Sequence, residues 1–300
     1  MSPDSTTSSA AAMPSRIQPQ FPASVHRFIK SCLTRQRDQP VIRRLSSLKK
    51  RTTWENPACA LCGTNDFARH FTKNGFSIVR CLNDGLLFVS PRPADTAPYY
   101  AENYYEGAEA GTYQSYDAHA EAMSEAWTAR LSRLESMLGE KGRLLDVGAA
   151  TGRFVDLAGK AGWTATGIEL SEWAVNHGRQ HLSVDLRPGT LPHPDFQPSS
   201  FNAITMFDVI EHLTDPRAVL ENAASLLVPG GVIVLSTGAV PHLDPRATSS
   251  WYFPPWHLYY FSTDTLTALL ERTGFKVRDI EIESPSTPYA LMTVWAEAAR

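Results

Sequence analysis

Four cysteines in 300 residues are too few for a disulfide framework of the kind that holds small secreted domains together, so Cys32, Cys59, Cys62 and Cys81 point to a reducing, cytoplasmic setting. No long apolar run follows the start of the chain, which argues against a membrane span or a secretory signal. Excess charge of one sign is also missing. A net charge of −3 gives no global reason to expect nucleic acid or an anionic membrane as the partner. The small imbalance is unevenly placed, however. Residues 1–54 carry ten Lys/Arg against Asp4 and Asp38, a local balance of +8.

The first twenty residues are mostly Ser, Ala, Thr and Pro and read as disordered. A Ser- and Arg-rich, acid-poor start also fits an organellar transit peptide, although the basic run to Arg51 continues beyond a short leader. The run reads as a solvated basic tail, or as a weak tether to RNA, membrane or an acidic partner. Four stretches follow from this pass: a disordered basic tail over 1–54, a cysteine module over 55–98, a Tyr-rich lid and helix over 99–142, and a main domain over 143–300. A hydrophobic fraction of 43% supplies ample material for a core.

Cys59 and Cys62 form C-x2-C, and eighteen residues separate Cys62 from Cys81. Two such pairs make a zinc ribbon, because each presents two sulfurs to a tetrahedral ion. Here Asp84 stands where the fourth cysteine would be. Asp ligates zinc through oxygen, so Cys59, Cys62, Cys81 and Asp84 are candidate ligands of a structural zinc. A metal-free alternative stays open, since Asp84-Gly85 is a good tight-turn pair for the hairpin "IVRCLNDGLLFV".

From residue 143 short apolar runs alternate with helical patterns. "RLLDV", "TATGI", "SVDL", "FNAITM" and "GVIVLS" read as strands, with three amphipathic segments between them. After a further helix, "FKVRDIEIES" and "ALMTVWAEA" read as a closing antiparallel pair. The alternation predicts an α/β fold: a doubly wound, seven-stranded, mostly parallel sheet with a small N-terminal cysteine module.

The dinucleotide fingerprint G-x-G-x-x-G is absent from the first turn, "LLDVGAATGRF", where Gly148 and Gly152 are four apart with Ala150 between. Asp146 before that turn would repel a pyrophosphate but attract an ammonium group. Glu169, ending the second strand, is placed to accept hydrogen bonds from ribose hydroxyls. An acid before the turn and another after strand two suit a nucleoside bearing an amino acid, namely S-adenosylmethionine (SAM).

These residues resemble the class I SAM-dependent methyltransferases. "CALCG", "FVSPRP", "YYAENYY" and "WHLYYFSTDTLTALLERTGF" resemble in particular methyltransferase domain family 23 and the ubiquinone-biosynthesis methyltransferases. The resemblance implies that Asp146, Gly148, Ala150 and Gly152 border the methionine part of the cofactor and that Glu169 holds the ribose. It further implies that Thr190 and Leu191 flank the adenine and that Phe207 lies beside the methionine. Ala150 and Thr190 depart from the family pattern, which commonly has glycine and an acid there.

In doubly wound folds ligands bind at the carboxyl ends of the strands, which puts "FDVIEH" at the reaction centre. Three readings of Asp208, Glu211 and His212 stay open. The acids start a helix and the imidazole caps it; or His212 is a general base oriented by Glu211; or Glu211 and His212, with His257 as the distant ligand, hold a divalent metal. The expected activity is methyl transfer to a small-molecule acceptor at a hydroxyl oxygen. C- or N-methylation of a sugar or natural product is the alternative. An NAD-dependent oxidoreductase and a non-catalytic binding protein are the rivals outside that class.

Overall fold

A computed structural model describes residues 53–107, 113–240, 253–283 and 290–299. Residues 1–52 of the basic tail, Cys32 among them, and the first two residues of the "WYFPPWHLYYF" segment lie outside the described residues, while Trp54 at the end of the tail is in a short strand.

The parallel sheet is built from the apolar runs that the alternation singles out. β6 (Arg143–Val147), β7 (Thr164–Glu169), β8 (Asp185–Pro188), β9 (Phe201–Phe207) and β10 (Leu227–Val240) pair in the order β8-β7-β6-β9-β10, all parallel. β13 (Leu291–Ala298) runs antiparallel to β10, and β12 (Phe275–Glu283) closes the edge against β13. These are the seven predicted strands, and four further strands extend the same sheet to eleven among the described residues. Leu144, Leu145, Ile204, Met206, Ile233 and Leu235 are fully buried, as strands covered on both faces must be.

Helices occupy the crossovers because their starts are capped. Ser171 accepts from Ala174 N–H at the start of α4 (Glu172–His181), and Asp215 accepts from Ala218 N–H ahead of α5 (Pro216–Leu226), with Pro216 in the first turn. Ser262 and Thr265 form a reciprocal capping box on α6 (Thr263–Arg272). The long α2 (Tyr116–Leu138) begins on Ser115 and ends at left-handed Gly139. Its buried Trp127, Leu131 and Leu134 pack with Phe154 of α3 (Arg153–Lys160) and with Trp295.

A feature that no periodicity announces is how the cysteine region joins this sheet. β2 (Phe67–Lys73), β3 (Phe76–Cys81) and β4 (Leu87–Val89) form an antiparallel meander that includes the expected Asp84-Gly85 hairpin. β4 then pairs with β11 (Tyr259–Ser262), and β11 pairs parallel to the end of β10 at Ala239–Val240. Cys59, Phe76, Ile78 and Phe88 share one buried cluster with Leu235, Phe261 and Leu269. The remaining short elements are β1 (Trp54–Glu55), β5 (Arg92–Pro93) and α1 (Glu102–Tyr105).

Candidate active site

The carboxyl ends of β6, β7 and β9 open into one cavity of about 280 Å³, near the lower end of the size range for small-molecule sites. Asp146, Gly148, Ala150, Glu169, Thr190, Phe207 and His212 line it. Gly152, Leu191, Glu211 and His257 stand behind that lining, so four of the eleven predicted cofactor and catalytic residues do not face the cavity directly.

The turn after β6 shows why it needs small residues. Gly148 has φ +73°, and a Cβ there would lie 2.4 Å from a Val209 methyl. Ala150 also adopts a left-handed conformation, φ 48°, which costs an L-residue about 1–2 kcal/mol relative to glycine. Gly152 serves packing instead: at φ +79° it precedes α3, and a Cβ would press on Leu186 at 2.9 Å.

Two buried carboxylates face the ligand space. Asp146 Oδ1 accepts from Thr205 Oγ1 at 2.6 Å. Burial pushes Asp146 up to about 7 and the charge of Glu169 adds to that, against the Thr205 hydrogen bond. Burial raises Glu169 as well, although the N–H groups of Ser171 and Ala150 oppose the rise. Glu169 Oε2 accepts from Ala150 N–H at 2.9 Å, and Oε1 accepts from Ser171 N–H at 2.8 Å and Tyr105 OH at 3.2 Å. A carboxylate offers about four lone-pair positions, so a diol finds one free and a second where Tyr105 now donates. No Lys or Arg is among the described residues lining the cavity. Acids without cations fit an ammonium- and ribose-bearing ligand such as SAM and disfavour the pyrophosphate of NAD.

The opposite end is assembled from three distant segments. A 3-10 turn, Ile210–His212, follows β9, and Glu211 O accepts from Leu258 N–H at 2.7 Å, which ties that turn to the strand leading into β11. His212 Nδ1 lies 2.9 Å from Trp256 O and 3.0 Å from Tyr100 OH. A carbonyl only accepts, so the proton is assigned to Nδ1 and Nε2 is left bare. Nε2 is 4.0 Å from Glu211 Oε1, and Glu211 Oε2 has no hydrogen-bond partner although the residue is 2% exposed. The ligating atoms of Glu211, His212 and His257 lie within 4.8 Å of one another. Burial holds His212 down at about 4 and His257 well below the usual imidazole range, while burial and Asp208 push Glu211 up to about 8.

Asp208 sits between the two ends. Its backbone is left-handed, φ 54°, and Ser236 fixes it twice: Asp208 N–H donates to Ser236 O, and Ser236 Oγ donates to Asp208 Oδ1 at 3.0 Å. Sequence reading places the aromatic segments but not their partners. Tyr105 stacks on Trp173 while reaching Glu169, and Tyr100 holds the His212 ring edge-on. Beneath Phe207, the Arg130 guanidinium lies 4.9 Å from the ring centroid. The cluster of six tyrosines within residues 99–116 was the available signal for the first two. Nothing in the helical pattern of α2 singles out Arg130.

Comparison with known proteins agrees with this geometry. The family model described as a methyltransferase domain matches residues 117–280, more than half of the chain. A ubiquinone biosynthesis O-methyltransferase of Xanthomonas campestris pv. campestris is 37% identical over 101 residues, covering 32% of this chain and 42% of that protein. A probable S-adenosylmethionine-dependent methyltransferase of Mycolicibacterium smegmatis is 31% identical over 137 residues, covering 45% and 52%. The chain thus spans about half the length of the curated relatives it matches. Among solved structures, the PH0226 protein of Pyrococcus horikoshii OT3 superposes with TM-score 0.50 at 15% identity, covering 65% of this chain and 95% of that one, a likeness of fold alone. With the glycine turn, the two cation-free acids and the family match in agreement, the chain belongs to the methyltransferase domain family of class I SAM-dependent methyltransferases, with SAM as its cofactor.

Proposed function

We propose that this protein transfers a methyl group from SAM to a hydroxyl oxygen of a small, planar or apolar acceptor. Asp146, Gly148 and Ala150 border the methionine part, Glu169 holds the ribose, Thr190 flanks the adenine, and Phe207 covers the reacting end. Gly152 and Leu191 act from behind, by shaping the turn and the adenine wall. SAM supplies an activated methyl on a sulfonium. With SAM bound, the acceptor oxygen would bond to the methyl carbon as the sulfur–carbon pair returns to sulfur, and the hydroxyl proton would pass to a base, the bare Nε2 of His212 being the one at the cavity wall. The tyrosines of 99–116 and Trp256 form an apolar wall suited to an aromatic acceptor and to a sulfonium. The relatives named as ubiquinone biosynthesis O-methyltransferases support an oxygen acceptor.

The observation that carries the acceptor chemistry is the 2.9 Å contact of His212 Nδ1 with Trp256 O, which assigns the ring proton to Nδ1. With Nδ1–H directed at Trp256 O, bare Nε2 lies 4.0 Å from Glu211 Oε1 beside His257, and the other oxygen of that carboxyl, Oε2, has no hydrogen-bond partner. Once the Glu211 carboxyl gives up the proton that burial holds on it, its oxygen and Nε2 would present lone pairs to a cation between them, and a ring N–H held by a backbone carbonyl is the usual support of a ligating imidazole. Glu211, His212 and His257 would therefore hold a divalent ion, which when bound lowers the pKa of an acceptor hydroxyl. One carboxylate and two imidazoles suit a transition metal better than Mg2+. A second reading keeps His212 as general base, because it alone of the three lines the cavity. A mass-spectrometric screen of host extract for +CH2 products tests the activity. Chelation then separates the readings: loss with EDTA and recovery with added divalent ion supports the metal, and indifference to EDTA supports the base.

A further inference from the structure

Cys59, Cys62, Cys81 and Asp84 lie outside the cavity, and methyl transfer makes no use of them. The two loops that carry them are conformational copies. In the first, Cys59 N–H donates to Thr64 O at 2.9 Å, Gly63 N–H returns to Cys59 O at 2.8 Å, and Gly63 has φ +76°. In the second, Cys81 N–H donates to Leu86 O at 2.9 Å, Gly85 N–H returns to Cys81 O at 3.1 Å, and Gly85 has φ +80°. Each loop opens on a cysteine and turns at a glycine four positions on. Each offers one further donor just before that glycine: Cys62 in the first copy and Asp84 in the second.

The copies face each other. Cys59 Sγ is 3.2 Å from Asp84 Oδ2, Cys62 Sγ is 3.5 Å from Cys81 Sγ, and the four donor atoms lie within 4.8 Å of one another. Cys59 and Cys81 are 2% and 1% exposed, so the set is closed on its inner side. Leu86 N–H donates to Asp84 Oδ1 at 2.9 Å, which aims Oδ2 at the sulfurs as an outer hydrogen bond aims a ligating carboxylate.

We propose that these four residues bind a structural zinc ion, with Asp84 completing the set in the place of a fourth thiolate. Three soft sulfurs select zinc over Mg2+ or Ca2+, and four protein donors leave no open position for chemistry. The ion does more than close a loop. It clamps the β2–β4 meander, whose last strand pairs Phe88 with Tyr259 of β11, and Arg272 Nη1 ties the first knuckle to α6 through Leu61 O at 2.8 Å. Tyr259 is two residues from His257, so the zinc stiffens the wall on which the acceptor end of the cavity is built.

The test is metal analysis of the full chain purified under reducing conditions, followed by cobalt substitution. Expected are about one zinc per chain and, with Co2+, thiolate-to-cobalt charge-transfer absorption with the strong visible bands of a tetrahedral ion. Cys81→Ser should lose the ion, Asp84→Ala should bind it about 10-fold or more weakly, and Asp84→Cys should keep it with a stronger thiolate band. His212→Ala and His257→Ala should retain the zinc, which separates this site from the cluster beside the cavity. A wild-type chain that is zinc-free and gives no thiolate-to-cobalt band overturns the proposal. So does zinc that leaves with the histidine variants but stays in Cys81→Ser, or a Cys62–Cys81 disulfide persisting under reduction.

Discussion

The two ends of the cavity are built in opposite ways. The cofactor end comes from neighbours in sequence: Asp146 to Gly152 form one strand-turn-helix passage, and Glu169 ends the next strand. Its polar groups are largely paired, with Thr205 on Asp146 and three donors on Glu169. The acceptor end gathers Tyr100, His212 and Trp256 from segments more than forty residues apart, and it leaves Glu211 Oε2 without a partner. On the proposed reading, the satisfied, local end holds SAM and the unsatisfied, long-range end meets the acceptor.

The sharpest way to break this contrast is at His212. His212→Ala should lower turnover by about 10²–10⁴ while SAM affinity stays near wild type, and Glu211→Gln should act alike if a metal is held there. Turnover and SAM binding measured on the same preparations decide it. If His212→Ala melts early but turns over normally, the imidazole is only a cap of the 3-10 turn.

A smaller but still large effect belongs to the turn. Gly148→Ala adds a methyl 2.4 Å from Val209 at a positive φ, so it should cost about 2–4 kcal/mol, split between folding and SAM affinity. Thermal melts with and without SAM measure the two shares. A variant with wild-type melting and affinity would mean that the backbone approach at Gly148 is not needed.

The third effect concerns protons. Asp146 sits at about 7 in the ligand-free fold, against about 4 in an unfolded chain, so the fold holds a proton there that the unfolded state releases. The unfolded state therefore binds fewer protons between those values, and the Asp146 contribution to stability falls as pH rises from about 4 to about 7. SAM binding reverses the preference, because an ammonium group favours the carboxylate. Affinity should rise with pH through about 7, with proton release on binding near pH 6.5. Calorimetry in buffers of different ionisation enthalpy reads that release, and its absence removes Asp146 from the ammonium site.

The smallest effect is expected at Ala150→Gly. Relief of a left-handed alanine and the added freedom of the unfolded chain nearly cancel, so the melting point should move by only a few degrees in either direction.

This contrast also explains what could be read in advance. Strands β6 to β10 and the closing pair follow from apolar runs whose burial on both faces leaves a continuous pattern, and Glu169 follows from its position at a strand end. The pairing of β4 with β11 leaves no such trace, because register between distant strands depends on tertiary packing around Phe88 and Tyr259. β10 starts at Leu227, four residues before the run "GVIVLS", because Pro229 and Gly230 sit at a register shift within the strand. Tyr105 on Glu169 and Tyr100 on His212 were unreadable for a similar reason: a tyrosine cluster announces a wall but not which hydroxyl meets which acid or ring.

The division of labour between the two ends is tested most directly by titrating SAM into three proteins, wild type, Glu169→Ala and His212→Ala. Removing Glu169 takes away the proposed ribose acceptor and the partner of Ala150 N–H, and should weaken binding by about 1–3 kcal/mol. Removing His212 should leave the affinity within about twofold of wild type, since that imidazole faces Trp256, Tyr100 and Glu211 and not the glycine turn. Wild-type affinity in Glu169→Ala together with a marked loss in His212→Ala would place the cofactor at the wrong end of the cavity and contradict the account.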